Sequence, residues 1–168
     1  LRNSNFTSII GASRERVALH PGEQSIVFLP LSHVLQRFTQ YRGLVDQTVG
    51  WFSPSIEELP ATLQIAQPHV MATVPRMLEK IRAKVEAQAQ EKGAEAHAIF
   101  NWAIAVGHAV NDRLWPDKKV GYRLSEQHRL AERLVLSKIK EGLGGRLRMF
   151  ICGGSALDPE LALWFEAV

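Results

Sequence analysis

The stretch "MFICGGSALDPE", Met149 to Glu160, sets a short apolar run against two glycines, a serine and then Asp-Pro-Glu. It reads as a strand that ends and a helix that begins, with Gly153 and Gly154 at the joint. Asp158 stands where a helix N-cap belongs and Pro159 at the first helical position. The glycines either make a tight turn or leave bare backbone for a flat ligand to approach.

Strands and helices alternate through the rest of the chain. "SIVFLP" (25–30), "TVGWF" (48–52), "HVMATV" (69–74) and "RLRMFIC" (146–152) are four short apolar runs rich in Val, Ile or Phe. None alternates cleanly between apolar and polar, the pattern of strands buried on both faces. Helical stretches run from Val34 to Asp46, from Ile56 to Gln67 and from Asp158 to Val168. That order predicts an α/β fold with a parallel sheet and right-handed crossovers.

Between the third and fourth strands lies a long helical insert, residues 76–141. Its first part carries Met77, Ile81 and Val85, and its second Ile99, Trp102, Ala103, Val106, Val110 and Leu114 at helical spacing. "DRLWPDKKVGYR" interrupts the pattern at Pro116 and Gly121. A third helix aligns Leu130, Ala131, Leu134, Val135 and Ile139, and Gly142 is its expected C-cap. These stripes are expected to be core.

Composition narrows the function. Of 168 residues, 46% are hydrophobic and 22% charged, a globular balance. A complete domain of this length buries roughly 70% of the surface of its unfolded chain. The net charge of +3 comes from scattered residues and forms no basic stripe, so no nucleic-acid partner is expected. Cys152 is the only cysteine, which excludes an intrachain disulfide and suits a reducing cytoplasm. The most apolar stretch, "AIFNWAIAVGHAV", is broken by Asn101 and His108 and falls short of the ~20 residues a membrane span needs.

Ligands of open α/β sheets bind at the carboxyl ends of the strands. That rule selects Ser32 and His33 after the first strand, Thr73, Pro75 and Arg76 after the third, and "CGGSAL" after the fourth. His33 either carries a proton or a hydrogen bond to an anionic substrate, or caps the helix that starts at Val34. Arg76, beside Glu79 and Lys80, reads as a surface ion-pair partner. Neither a G-x-G-x-x-G nor a Gly-Lys-Ser/Thr phosphate loop is present, and no His, Cys, Asp or Glu cluster has metal-ligand spacing.

Taken together, these segments resemble the AMP-forming acyl-CoA synthetases, in particular the long-chain fatty-acid–CoA ligases. "FLPLSHVLQRF" (28–38), "HVMATVPRMLEKI" (69–81) and "GGRLRMFICGGSALDPELALWF" (144–165) are each similar to a family segment, in order and at family separations. The resemblance runs from about Asn5 to the last residue, and the long insert is typical of the long-chain branch. It implies that 1–168 is an internal fragment of one AMP-binding, N-terminal domain. The implied parent joins ATP, a fatty acid and CoA, with Mg2+, into acyl-CoA, AMP and pyrophosphate through an acyl-adenylate.

On this resemblance His33 is the catalytic residue at the junction of acyl and phosphate groups. Gly153, Gly154, Ser155 and Ala156 then line the adenine and acyl pocket. Ser155-Ala156 stands where the family usually has Ala-Pro, and Cys152 where it often has serine. The implied phosphate loop precedes Leu1, and the magnesium-binding glutamate and catalytic lysine follow Val168. The fragment alone is therefore expected to be inactive and to bind no cofactor. The alternatives are a non-catalytic remnant or scaffold, or a sister enzyme such as a fatty-acyl-AMP ligase. The insert leaves peripheral membrane contact or self-association open.

Overall fold

The computed structural model describes residues 2–114 and 119–168. The first elements are α1 (Asn3–Arg16), β1 (Gln24–Val27), α2 (Val34–Asp46), β2 (Val49–Phe52), α3 (Leu59–Ala66) and β3 (Val70–Thr73). Then come α4 (Pro75–Glu91), α5 (Ala94–Leu114), α6 (Tyr122–Ala131), a π-helical turn (Glu132–Leu136), α7 (Ser137–Gly142), β4 (Met149–Cys152) and α8 (Pro159–Ala167). They form two compact units, Leu1–Thr73 with Gly142–Gly154, and Val74–Glu141 with Ser155–Val168.

The first unit holds the sheet. Its order is β2-β1-β3-β4, and every neighbouring pair is parallel. This is the parallel α/β arrangement the alternating sequence predicts. Each strand is four residues long, shorter than its apolar run. Only β3 is buried along its whole length, with Met71 at its centre and Ile26 of β1 beside it. The expectation of strands buried on both faces is wrong for β2. That strand lies at the sheet edge with one neighbour, and Val49, Trp51 and Phe52 are exposed.

Local chemistry sets the helix ends. α2 starts at a His33 cap and stops where Gln47 turns left-handed, at φ 59°. α3 begins three residues later than the apolar pattern suggests, with Pro60 in its first turn. Helix α1 has no counterpart in the sequence reading. Only Ile10 of its residues is buried, so no apolar stripe announces it. Polar bonds hold it instead: Arg42 of α2 donates to Ser13 Oγ at 2.6 Å and Val17 O at 2.5 Å.

Gly142 ends α7 as expected, but it is not the left-handed residue. That role falls to Gly144 (φ 97°) and Gly145 (φ 78°). A Cβ on Gly144 would stand 2.6 Å from Leu63 O, so the turn also passes too close to α3 for any other side chain.

At the amino ends of the strands, Arg148 clasps Glu23 through two bonds of 2.7 Å and reaches Ala18 O at 2.8 Å. Arg148 donation holds the Glu23 carboxyl down at about 2 against the upward pull of burial, with the His20 N–H assisting. A carboxyl whose folded pKa is depressed adds stability above its unfolded value and loses it as pH falls through the folded one. Acid unfolding of the wild type should therefore steepen between about pH 4.5 and 2. Glu23→Gln should flatten that region of a stability–pH curve measured by urea midpoints, and an unchanged curve would refute the pairing.

In the second unit the core is built from Phe100, Ala103, Ile104, Val106, Ala131, Leu136, Ile139 and Trp164. The predicted stripes hold in part: Ala103, Val106, Val110, Ala131 and Ile139 are buried as expected. Ile99, Leu114, Leu130 and Leu134 are exposed, whereas Phe100, Ile104 and Leu136 point inward. The π-helical turn at 132–136 gives a physical reason for the third helix. Its wider i to i+5 spacing turns the face by an extra residue, so Leu136 rather than Leu134 reaches the core. Gly121 is the N-cap of α6, and Pro116 lies outside the described residues. Among the described residues no helix is long and apolar enough to cross a membrane.

Candidate functional site

Because β1, β3 and β4 run parallel, their carboxyl ends share one edge of the sheet, in the first unit. The segment after β1 turns at Pro30, whose carbonyl accepts from His33 N at 2.9 Å. His33 then caps α2: its Nδ1 accepts from Leu35 N at 3.3 Å. That bond decides the neutral tautomer. With Nδ1 as acceptor, the proton sits on Nε2, which has no partner among the described residues and lies on an exposed side chain. Capping and a donor role are therefore compatible on the same imidazole.

Leu35 carries the contact across to the glycines. A Cβ built on Gly153 would lie 3.4 Å from Leu35 Cδ1. Gly153 N donates to Thr73 O at 3.2 Å, so the ends of β3 and β4 stay zipped to the rim. The segments after β1 and β4, far apart in sequence, thus meet within one unit, at Leu35 and Gly153. The sequence reading did not single out Leu35, and a leucine in a helix's first turn carries no signal that would find it.

The two glycines have different reasons. Gly154 takes φ 94°, a left-handed backbone that favours glycine, so the turn accounts for it. Gly153 has an ordinary φ, and an alanine there would make normal contact with Leu35. Packing does not require glycine at 153. Its bare backbone is the part of the pair left over for a ligand.

The remaining candidates fall as follows. Ser155 and Ala156 are exposed and begin the second unit's share of the chain. Asp158 caps α8, its Oδ1 accepting from Glu160 N at 2.9 Å, and Pro159 opens the helix as predicted. Arg76 is exposed, and the expected ion pair with its neighbours does not form among the described residues. Thr73 Oγ1 is fully buried without a hydrogen-bond partner. Burial raises the Cys152 thiol above its usual range, which disfavours the thiolate a nucleophile needs. His69 is structural: its Nδ1 accepts from Gln24 N at 3.0 Å. No group of three His, Cys, Asp or Glu among the described residues could hold a metal ion.

A parallel sheet with a histidine-capped helix and a glycine turn at its carboxyl rim is an α/β architecture, and open sheets of this kind bind ligands at that edge. The chain matches the AMP-binding enzyme family over residues 2–168, and it belongs to that family. It is similar to long-chain-fatty-acid–CoA ligase FadD15 of Mycobacterium tuberculosis, with 33% identity over 99% of this chain and 28% of the relative. Long chain acyl-CoA synthetase 1 of Arabidopsis thaliana is 31% identical over 80% of this chain and 19% of its own length. Long-chain-fatty-acid–CoA ligase 5 of Rattus norvegicus is 29% identical over 88% of this chain and 20% of its own. The chain therefore spans under a third of the length of these relatives. No solved structure matches it.

Proposed function

We propose that these residues form one wall of the active site of a long-chain fatty-acid–CoA ligase. In the reaction a fatty-acid carboxylate oxygen attacks the α-phosphorus of ATP and the bond to the β-phosphate oxygen breaks, releasing pyrophosphate. The CoA thiolate then attacks the acyl carbon and expels AMP, leaving the thioester.

The observation that carries this reading is one sheet edge where Leu35 links the exposed histidine cap to a backbone kept bare without a packing reason. It occurs in a chain similar to named long-chain-fatty-acid–CoA ligases. His33 Nε2 would donate to an oxygen at the junction of carboxylate and phosphate, where negative charge builds in the transition state. Gly153 and Gly154 would let a flat base or an acyl chain rest against the main chain, continuing along Ser155 and Ala156. Among the described residues no group fits magnesium, and the steps proposed for these residues do not run through it. The phosphate grip, the metal ligand and the catalytic lysine are assigned to other parts of the parent, and the 168 residues alone to an inactive fragment.

The test uses the intact protein and ATP–pyrophosphate exchange driven by a long-chain fatty acid. His33→Asn keeps an N-cap but removes the imidazole donor, and should slow exchange about a hundredfold with little change in unfolding midpoint. Gly153→Ala should fold normally and weaken exchange roughly tenfold by adding a methyl to the ligand wall. Full exchange in both variants would refute the assignment.

A further inference from the structure

The buried residues of α2 are Gln36, Arg42 and Asp46, all polar, although a helix covering a sheet ordinarily buries an apolar stripe. Arg42 and Asp46 pair with each other, but Gln36 is only half satisfied. Its Nε2 donates to Thr39 Oγ1 at 3.1 Å, while its Oε1 is buried with no partner among the described residues. The amide cannot be turned over. Thr39 Oγ1 gives its own proton to Gln36 O at 3.0 Å, so it must accept from nitrogen. An acceptor left bare in the interior carries the full cost of its desolvation. Gln36 also lines a cavity of about 30 Å³ within the first unit. Thr39, Gln40 and Thr48 share its wall with Ala72 of β3 and Ile151 of β4.

We propose that ordered water occupies this cavity and donates to Gln36 Oε1, fastening α2 to the sheet. Roughly 10–15 Å³ of such space holds one water, provided that polar groups are there to bond it. The Gln40 amide and the Thr39 and Thr48 hydroxyls stand on the same wall to take its remaining bonds. A metal ion fits poorly. Glu23, the carboxylate of that wall, is held by Arg148, and Arg42 puts a cation beside it. Arg42 cannot serve Gln36 instead, since its Nε, Nη1 and Nη2 donate to Asp46, Ser13 and Val17. The water thus completes the packing of the helix that His33 caps. The proposal does not depend on the reaction assigned above.

A crystal structure of the intact protein, at a resolution that shows ordered water, should place density within hydrogen-bond distance of Gln36 Oε1. Filling the cavity then tests the proposal by sign. Ala72→Val enlarges a side chain on the wall, and in a dry void the added methyl groups would improve packing. Where they displace a water they leave Gln36 Oε1 bare. Hydrogen exchange of the α2 amides in the intact protein should therefore quicken roughly tenfold. In a Gln36→Met background no acceptor remains to be stranded, and the same valine should slow exchange or leave it unchanged. A cavity without density would overturn the proposal. So would an Ala72→Val effect of the same sign and size in both backgrounds.

Discussion

Replacing Gly107 with alanine is expected to cost about 3 kcal/mol of stability or more. Helix propensity alone argues the other way, since alanine in a helix interior is favoured over glycine by ~1 kcal/mol. Packing decides the sign. Gly107 lies where α5 crosses α8, and a Cβ there would run into Ala167 O and stand 2.8 Å from its carbonyl carbon. The obstacle is main chain, which cannot swing aside like a side-chain tip. One turn further along α5, Asn111 Nδ2 donates to Glu166 O, which holds the two helices at that separation. Urea unfolding of Gly107→Ala beside Gly11→Ala gives the contrast, because a Cβ on Gly11 meets nothing within 4 Å. Gly11→Ala should be neutral or stabilising. A Gly107→Ala protein as stable as wild type would show that the crossing can open at little cost.

Asp46→Ala is the second large effect, expected at about 3–5 kcal/mol. Asp46 and Arg42 are one turn apart on α2, paired, and both more than nine-tenths buried. Asp46 also meets Arg14 of α1 at 3.0 Å. Without the carboxylate, a buried guanidinium keeps only Ser13 Oγ and Val17 O as partners, and α1 loses its ion pair through Arg14. The loss measures an uncompensated charge rather than the worth of the pair. R42M/D46L should therefore recover much of the stability that Asp46→Ala removes. Limited proteolysis should release α1 first in the single variant. A double variant no better than the single would show that the hydrogen bonds to α1, and not the charge, carry the cost.

The chain's sequence announced its parallel sheet because short apolar runs alternate with helical ones, and that order constrains topology strongly. The caps at His33 and Asp158 were legible for the same kind of reason. Each bond spans two residues, so residue type and position suffice. Helix α1 was not legible, because polar anchors hold it and leave no periodic stripe to see. The shift from Leu134 to Leu136 in the third insert helix escaped because a π-helical turn breaks the 3.6-residue count, and nothing in "ERLVL" signals one. The exposure of β2 depended on its place in the sheet, which no local pattern encodes.

The glycine pair shows where the two sources of information divide. By itself the sequence determined that a strand meets a helix at Gly153-Gly154, that Asp158 and Pro159 start that helix, and that His33 stands at the head of another. Those features rest on bonds within a few residues. Only the tertiary structure decided that the turn accounts for Gly154 and leaves Gly153 without a packing reason. It also decided that the His33 cap and the Gly153 backbone meet through Leu35. Such contacts join residues far apart along the chain. They exist only once parallel strands bring their carboxyl ends to one edge, a consequence of the whole sheet and not of any one segment.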